Sequence, residues 1–304
     1  MPASHPLLAV DRLRPLTVDP HMHPRGQPHL SAASGLVCAY GRAYVIADDE
    51  LHLAIYRDRT SGAELQRLVD GTLPHDKGAR KRRKADFESL LWLPGEAALI
   101  ALGSGSRPQR DRAVWLSLQA GGTPQPPPRV IDLAPLYTPL RAQLGAINIE
   151  GAFVVGDILM LLNRGHAAGA GNLVVRYALG GVVDAMHEAC GSVEPLSLQA
   201  FELGSIDGIA LGFTDGAALP GTGGGWVFSA VAEDSRDSVA DGACSGAVVG
   251  LVGADGQLQS LRRLASRDKI EGIDVQARSD GPVLFMVSDD DDPAKASWLL
   301  SARL

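Results

Sequence analysis

The fold is decided by a short stretch in the middle of the chain, Ile149-Glu150-Gly151-Ala152, in which an acidic residue and a glycine stand between apolar residues. Similar stretches occur four more times, the first of them weaker: Ala33-Ser34-Gly35-Leu36, Phe87-Glu88-Ser89-Leu90, Ile206-Asp207-Gly208-Ile209 and Ile270-Glu271-Gly272-Ile273. The intervals run from 54 residues, between Ser34 and Glu88, to 64 residues, between Asp207 and Glu271. Such a period is typical of an array built from one repeated supersecondary unit.

Each copy opens a series of short apolar runs separated by turn residues. After Glu150, for example, the runs 158–162 and 173–177 flank a polar tip that begins at Asn163. This pattern predicts a four-stranded antiparallel meander. The last unit ends at Leu304 without a fourth strand of its own, and the apolar segment Leu7 to Val18 is available to supply it.

The sequence therefore predicts an all-β fold, a five-bladed β-propeller closed by pairing of the N-terminal strand 7–18 with the last blade. We expect residues 1–304 to form one domain, and no long amphipathic helix is indicated. The expected blades cover about residues 30–70, 85–134, 147–202, 204–265 and 268–304.

Composition narrows the class of protein. The 304 residues include 35 Gly and 19 Pro, which suits a chain of many turns. There is no run of 18 apolar residues, and residues 1–20 lack the basic and apolar regions of a secretory leader, so neither membrane spanning nor export is indicated. We therefore expect a cytoplasmic protein that does not enter a membrane. Cys38, Cys190 and Cys244 lack metal-ligand spacing, and a net charge of −7 argues against a nucleic-acid partner. The expected partner is a small anionic molecule or another protein, and we expect a monomer.

The repeated polar position predicts a ring of side chains. In a propeller the first strand of each blade lines the central tunnel, so these residues should converge near one mouth. The predicted metal ligands are Ser34, Glu88, Glu150, Asp207 and Glu271. An oxygen-only ring suits Ca²⁺ better than zinc or copper. The alternative stays open that the pattern marks turns and that the tunnel holds only water.

Four stretches carry a resemblance to a known family: Ser205-Ile206-Asp207-Gly208, Leu219-Pro220-Gly221-Thr222, Ala232-Glu233-Asp234 and Lys269-Ile270-Glu271-Gly272. In them the chain resembles the calcium-activated nucleotidases, or apyrases, and the Ser34 copy looks like the serine-bearing blade of that family. It is also similar to bacterial phytase-like and esterase-like propellers with Glu-Gly repeats. The resemblance implies a five-bladed propeller with calcium in its tunnel and hydrolysis of nucleotides or other phosphoric esters.

Strand direction places further residues at the same mouth. The tips between second and third strands surround the acidic end of the tunnel, whereas the opposite face receives plain turns, so any ligand is expected at the mouth. Predicted catalytic residues there are Glu233, Asp234, Arg164 and His166, and predicted ligand-binding residues are Lys84, Arg107, Asn163 and Lys269. The basic run that ends at Lys84 can equally be a solvated loop.

Two functional classes follow from this arrangement. In the first, a tunnel cation polarises a small anionic ester, a base such as Glu233 or Asp234 activates water, and Lys84, Arg107 or Arg164 stabilises the developing charge. In the second, the propeller binds a ligand or a protein without catalysis, and the ion is structural or the tunnel is hydrated.

Overall fold

A computed structural model of the protein describes residues 5–165, 171–188, 191–234 and 244–304. Two strands precede the ring, and three β-sheets follow as the first three blades. The N-terminal strands are β1 (Leu7–Leu8) and β2 (Asp11–Pro15). Blade one contains β3 (Ala33–Ala39), β4 (Arg42–Ala47), β5 (His52–Tyr56) and β6 (Glu64–Arg67). Blade two contains β7 (Phe87–Leu93), β8 (Ala98–Gly103), β9 (Arg112–Ser117) and β10 (Arg129–Asp132). Blade three contains β11 (Ile149–Val155), β12 (Ile158–Asn163), β13 (Asn172–Ala178) and β14 (Ser197–Phe201).

Two further sheets complete the ring. Blade four begins with the short β15 (Ser205–Ile206) and contains β16 (Ile209–Ala218), β17 (Trp226–Glu233), β18 (Cys244–Val252) and β19 (Leu258–Leu264). Blade five contains β20 (Ile270–Gln276), β21 (Val283–Ser288) and β22 (Trp298–Arg303). The ring is lined by one inner strand from each blade, β3, β7, β11, β16 and β20, each of which contacts the next, and β20 returns to β3. The predicted five-bladed β-propeller is confirmed.

The N-terminal strand closes the ring as predicted. Strand β2 pairs antiparallel with β22, with Asp11 opposite Ser301 and Pro15 opposite Trp298. The shorter β1 adds a parallel strand to the outer edge of β19. Just beyond β2, Leu16 is fully buried in the apolar core between blades five and one. The closing segment therefore covers a sheet edge and also fills part of a core.

Five apolar clusters hold the ring together, one between each pair of neighbouring blades. Period-two alternation along each strand sends side chains to both faces of its blade, and both faces are covered by the adjacent blades. The strands are accordingly buried on both sides, as in β8, in which all six residues are buried. Because each blade shares a core with its two neighbours, the length of the chain does not require a second, separate domain core.

A β-bulge explains the repeated sequence pattern. In each blade one residue of the inner strand is left out of the pairing with the neighbouring strand. These residues are Ser34, Glu88, Glu150, Thr214 and Glu271. A glycine follows three of them because the inner strands approach closely here. A Cβ at Gly272 would lie 2.8 Å from the Cα of Gly35. The bulge turns a polar side chain towards the mouth, and the glycine lets the next blade approach.

The structure corrects the predicted position of Asp207 in the ring. Asp207 and Gly208 both have positive φ and form the two-residue turn between β15 and β16, where Ile206 pairs with Ile209. Asp-Gly is the preferred sequence of such a hairpin turn. The side chain of Asp207 is 72% exposed. Thr214, seven residues later, occupies the bulge of blade four.

Three helices occur where the sequence indicated only loops. The basic run forms α1 (Lys77–Arg83), capped by the Asp76 carboxylate, which accepts a hydrogen bond from the backbone of Ala79. The others are α2 (Ala134–Leu144), with Pro139 inside it, and α3 (Leu179–Glu188). Both helices pack on the core between blades two and three. Burial against this core therefore stabilises helices that the local sequence indicates only weakly. In the described part of the chain, no helix has the length and apolarity needed to cross a membrane.

Candidate functional site

The candidate site lies at the tunnel mouth where the bulges of the inner strands meet two sets of loops. Loops between second and third strands contribute Asp48, Arg110 and Arg164, and the connections into the inner strands contribute Lys84 and Lys269. Antiparallel order brings both sets to one face, as predicted. With Glu233 at the end of β17, the site is therefore built from all five blades and from residues far apart in sequence.

On the side of blades one and two the mouth carries an acidic trio, Asp48, Asp86 and Glu88, whose carboxylate oxygens lie within 4.8 Å of one another. Lys84 reaches into this trio, where its ammonium contacts Asp48 and lies 2.9 Å from Asp86. The carboxylate of Asp86 also accepts hydrogen bonds from Ser104 at 2.5 Å and pairs with Arg110 at 2.7 Å.

The pKa values of Glu88 and Asp86, two members of the acidic trio, are shifted in opposite directions. Burial raises the pKa of Glu88 well above its usual value, and the charges of Asp86, Asp48 and Glu150 raise it further. Burial would also raise the pKa of Asp86, but Lys84 and Arg110 outweigh it and hold that pKa below its usual value. Among the described residues, none donates a hydrogen bond to the Glu88 carboxylate. Burial and the neighbouring carboxylates therefore favour the protonated form of Glu88.

On the side of blades three to five the mouth carries an ion-pair chain, in which acidic and basic side chains alternate. Arg164 lies 3.9 Å from Glu150 and 2.8 Å from Glu233. Lys269 continues the chain at 3.3 Å from Glu233 and 3.1 Å from Glu271. Arg164 fits because Gly212 has no side chain, since a Cβ there would lie 2.8 Å from the arginine Nε. Each acid of this group has a cation beside it.

Glutamates of the ion-pair chain titrate in opposite directions. Burial raises the pKa of Glu150 to about 8, with Glu271 adding to the effect and Arg164 opposing it. Burial also raises the pKa of Glu271, although Lys269 and Arg164 reduce the increase. For Glu233 the effect of burial is outweighed by Lys269 and Arg164, which lower its pKa. At neutral pH the chain therefore holds an ionised Glu233 beside a Glu150 that retains its proton.

Several residues predicted from the sequence have other contacts. The hydroxyl of Ser34 donates to the Phe87 carbonyl at 2.6 Å and so links blade one to blade two. Asn163 is buried, and its amide oxygen accepts a hydrogen bond from the Asn148 backbone at 2.8 Å. Arg107 is exposed. Asp234 is half-buried immediately after β17, and His166 lies outside the described residues.

Other residues at the mouth were not singled out from the sequence. Asp86 and Asn148 each stand two residues before a bulged glutamate, as the predicted Lys269 does, so strand alternation points all three to the same face. A polar-apolar-acidic pattern could have identified Asp86 and Asn148. Arg110 had no such signal. A 3₁₀ turn, Pro108–Arg110, brings it to Asp86 in the position expected for Arg107.

Helix α1 carries its basic side chains to the rim of the mouth. Arg80 is buried and its Nε lies 2.8 Å from Asp49. The same guanidinium donates to the carbonyls of Pro74 and His75. The alternative of a fully solvated basic loop is therefore wrong for Arg80, which helps to anchor the connection between blades one and two.

Comparisons with known proteins give a family and distant structural likenesses. The model of a family of unknown function, DUF6929, matches residues 29–304. No curated protein matches the sequence. A streptogramin B lyase structure aligns at 13% identity and a TM-score of 0.38 over 90% of this chain, which spans 66% of the length of the lyase.

Two more solved structures show the same kind of likeness. A glucose dehydrogenase aligns at 10% identity and a TM-score of 0.45, covering 96% of this chain and 98% of its own. An exo-1,5-alpha-L-arabinanase from a bovine ruminal metagenomic library aligns at 8% identity and a TM-score of 0.48, covering 90% and 93%. Likenesses this distant carry no inference about activity. The resemblance to apyrases and phytase-like propellers stays a prediction.

Proposed function

We propose that this chain, which belongs to the family of unknown function DUF6929, binds a divalent cation at the acidic trio of its tunnel mouth. The observation that carries the proposal is the spacing of Asp48, Asp86 and Glu88 within 4.8 Å, together with a Glu88 carboxylate that no described residue donates to. A bound cation would favour the ionised form of Glu88, and it would offset the mutual repulsion of the three carboxylates.

The donor set favours Ca²⁺. The three carboxylates supply up to six oxygen atoms, the Ser104 hydroxyl lies beside Asp86, and neither histidine nor cysteine belongs to the trio. Calcium takes six to eight oxygen ligands and tolerates irregular geometry, whereas zinc prefers nitrogen and sulfur ligands. The ammonium of Lys84 lies between Asp48 and Asp86, so it would compete with the ion for these two carboxylates.

Calcium binding is tested by calorimetry and thermal unfolding after treatment with EDTA. At a hundredfold excess over its dissociation constant, Ca²⁺ should stabilise the wild type by about 2.7 kcal/mol. Glu88→Gln should weaken binding by at least about tenfold, since it removes one of the charged ligands. Lys84→Met should instead tighten binding, because the competing ammonium is gone.

The matched control is Asp207→Asn, which removes the same charge from an exposed turn and should leave calcium binding unchanged. A wild type that neither binds Ca²⁺ nor gains stability from it contradicts the proposal and favours a hydrated tunnel. Weaker binding in Lys84→Met would show that the lysine supports the site and does not compete with the ion.

Hydrolysis of a small anionic ester is the activity that we propose for this site. Two glutamates bridged by Arg164 have pKa values moved in opposite directions, which suits one general base and one general acid. Glu233 stays ionised and would activate water, and Glu150 retains a proton that it would give to the leaving group. The cation at the trio would polarise the ester oxygen.

Turnover of nitrophenyl phosphates and of nucleotides should be measured with Ca²⁺ and with EDTA. Glu233→Gln and Glu150→Gln should each lower kcat by at least about tenfold, and Asp207→Asn should not. Calcium binding without turnover of any ester would support the second candidate, a non-catalytic binding propeller. That candidate is favoured by the saturation of Arg164 and Lys269 by carboxylates, which leaves them little capacity for an anionic substrate.

A further inference from the structure

A second cleft, of about 240 Å³, lies at the seam between blades five and one. Its lining residues follow or end the first and third strands, for example Ala39 at the end of β3 and Tyr56 at the end of β5. Antiparallel order places these positions on the face away from the tunnel mouth. We name it the arginine cleft after five of its residues, Arg14, Arg42, Arg57, Arg59 and Arg278.

Positive charge in the arginine cleft exceeds negative charge. Of the described residues that line it, Asp58 alone is acidic, and its carboxylate accepts hydrogen bonds from the backbone of Thr60 and Ser61, both at 2.7 Å. Arg57 pairs outside the cleft with Glu64 at 2.6 Å. For Arg59 and Arg278, the described part of the chain provides no carboxylate within salt-bridge distance. The surplus charge is therefore available to an anion.

Arg14 adds a buried positive charge to the cleft. It is only 4% exposed and stacks on the ring of Tyr56, with its guanidinium carbon 4.6 Å from the ring centroid. Its nitrogens donate to the carbonyls of Asp58 and Ser61 at 2.7 and 2.8 Å, and no carboxylate of the described chain pairs with it. A buried guanidinium without a counter-ion creates a positive potential in the cleft that a bound anion would neutralise.

The hydroxyl of Tyr56 gives an independent indication. Tyr56 is 2% exposed and lines the cleft, yet its buried hydroxyl has no hydrogen-bond partner within the described residues. Burial raises the pKa of this hydroxyl, so it remains a donor at neutral pH. A buried donor without an acceptor is costly, and a ligand oxygen would satisfy it.

Apolar side chains form the rest of the lining. Leu13, Phe285 and Leu299 come from strands or strand edges of blade five, and Cys38 comes from β3. Burial raises the pKa of the Cys38 thiol well above its usual value, so this cysteine acts as a small apolar group. The cleft thus offers both an apolar surface and donors for an anionic group.

We propose that the arginine cleft binds a small amphipathic oxyanion, a molecule with a phosphate or carboxylate head and an apolar body. The head would accept hydrogen bonds from Tyr56 and from the unpaired arginines, and the body would lie on Phe285 and Leu299. This site is independent of the cation site, since no residue is shared between them.

Calorimetry in the presence of EDTA tests the proposal with four probes: hexyl phosphate, hexanoate, inorganic phosphate and hexanol. At least one of the two amphipathic anions should bind at least about tenfold more tightly than inorganic phosphate and than hexanol, because only they use both parts of the cleft. The ratio between hexyl phosphate and hexanoate tells which head group the arginines prefer.

Variants locate the binding. Replacing Arg59 and Arg278 together by Gln should weaken binding by at least about tenfold, whereas Arg267→Gln, an exposed arginine outside the cleft, should not. Tyr56→Phe should weaken binding by roughly threefold to tenfold without lowering the melting temperature, since the hydroxyl has no partner to lose. A melting temperature that falls in Tyr56→Phe would show that water already satisfies the hydroxyl and would remove that support.

Three results would overturn the proposal. The first is that neither amphipathic anion binds. The second is that hexanol binds as tightly as the amphipathic anions, which would indicate an apolar patch only. The third is that Arg267→Gln weakens binding as much as replacement of Arg59 and Arg278, which would indicate nonspecific attraction of anions.

Discussion

The tunnel mouth and the arginine cleft are built from the same material, charged side chains at strand ends, but they differ in how the charges are paired. At the mouth, Lys84 and Lys269 each contact at least two carboxylates. In the cleft, Arg14 donates to backbone carbonyls and Arg278 has no carboxylate partner among the described residues. The basic side chains of the mouth are therefore neutralised within the described chain, whereas the cleft keeps positive charge without a carboxylate partner there.

This difference predicts opposite ligands for the two faces. Among the described residues, Glu88 at the mouth has no hydrogen-bond donor, which favours a cation, and Arg59 and Arg278 in the cleft have no carboxylate partner, which favours an anion. The sequence-based expectation placed every ligand at the mouth and treated the opposite face as plain turns. The cleft offers a second place on that face, formed where the closing strand brings Arg14 against blade one.

Removal of the closing strand should have the largest effect, because it affects the seam that carries the cleft. A chain lacking residues 1–18 loses Leu16 and Val18 from the core and exposes the edge of β22. Each of the two side chains contributes about 1.5 to 3 kcal/mol, compared with a total stability of about 5 to 15 kcal/mol for a typical domain. We expect aggregation, measured by size-exclusion chromatography with light scattering.

Removal of residues 1–5 is the control, since it leaves β1 and β2 in place. If the longer deletion stays soluble with the melting temperature of the wild type, the N-terminal strand is not needed for closure.

Replacing one basic side chain in each region should distinguish the tunnel mouth from the arginine cleft by their stability. Lys269 is 7% exposed and is held by Glu233, Glu271 and Asp291, so Lys269→Met leaves buried acids that repel one another. We expect a loss of about 3 to 5 kcal/mol in the free energy of unfolding. Arg278→Met in the cleft should change stability by less than about 0.5 kcal/mol, because no partner is left unpaired.

Urea denaturation of both variants in EDTA measures the contrast. Equal losses in Lys269→Met and Arg278→Met would show that the pairing difference between the two regions has no energetic meaning.

The pH dependence of stability gives the smallest and most local effect. The pKa of Glu150 is raised to about 8 in the folded protein, whereas an unfolded glutamate titrates near 4.3. The folded state therefore holds the proton more tightly, and stability falls as the pH rises from about 4.3 to about 8. Glu150→Gln should reduce this slope by up to about 1.4 kcal/mol per pH unit.

Urea denaturation in EDTA at pH values of about 5.5 and 8 measures the slope. Glu233→Gln is the control, because the pKa of Glu233 is lowered and its contribution changes only at more acidic pH. An unchanged slope in Glu150→Gln would show that the carboxyl is already ionised at the lower pH.

Repetition made the fold predictable, because a blade is a local unit and its strands follow one another in the chain. The same local reasoning failed at Asp207, where an Asp-Gly hairpin turn has the same sequence pattern as an inner strand. It also missed α2 and α3, whose stability comes from burial between blades two and three. The cytoplasmic location and the monomeric state stay predictions.

The order and spacing of residues along the chain were sufficient to predict the number of blades, the closing strand and four of the five bulged positions, Ser34, Glu88, Glu150 and Glu271. Which charges neutralise one another depends instead on how the blades pack. Arg110 pairs with Asp86 and Arg164 with Glu233 across distances that no local pattern encodes. Within the described residues, that same packing leaves Arg14 without a carboxylate and the Tyr56 hydroxyl without a hydrogen-bond partner, so the expected ligand preference depends on contacts between blades.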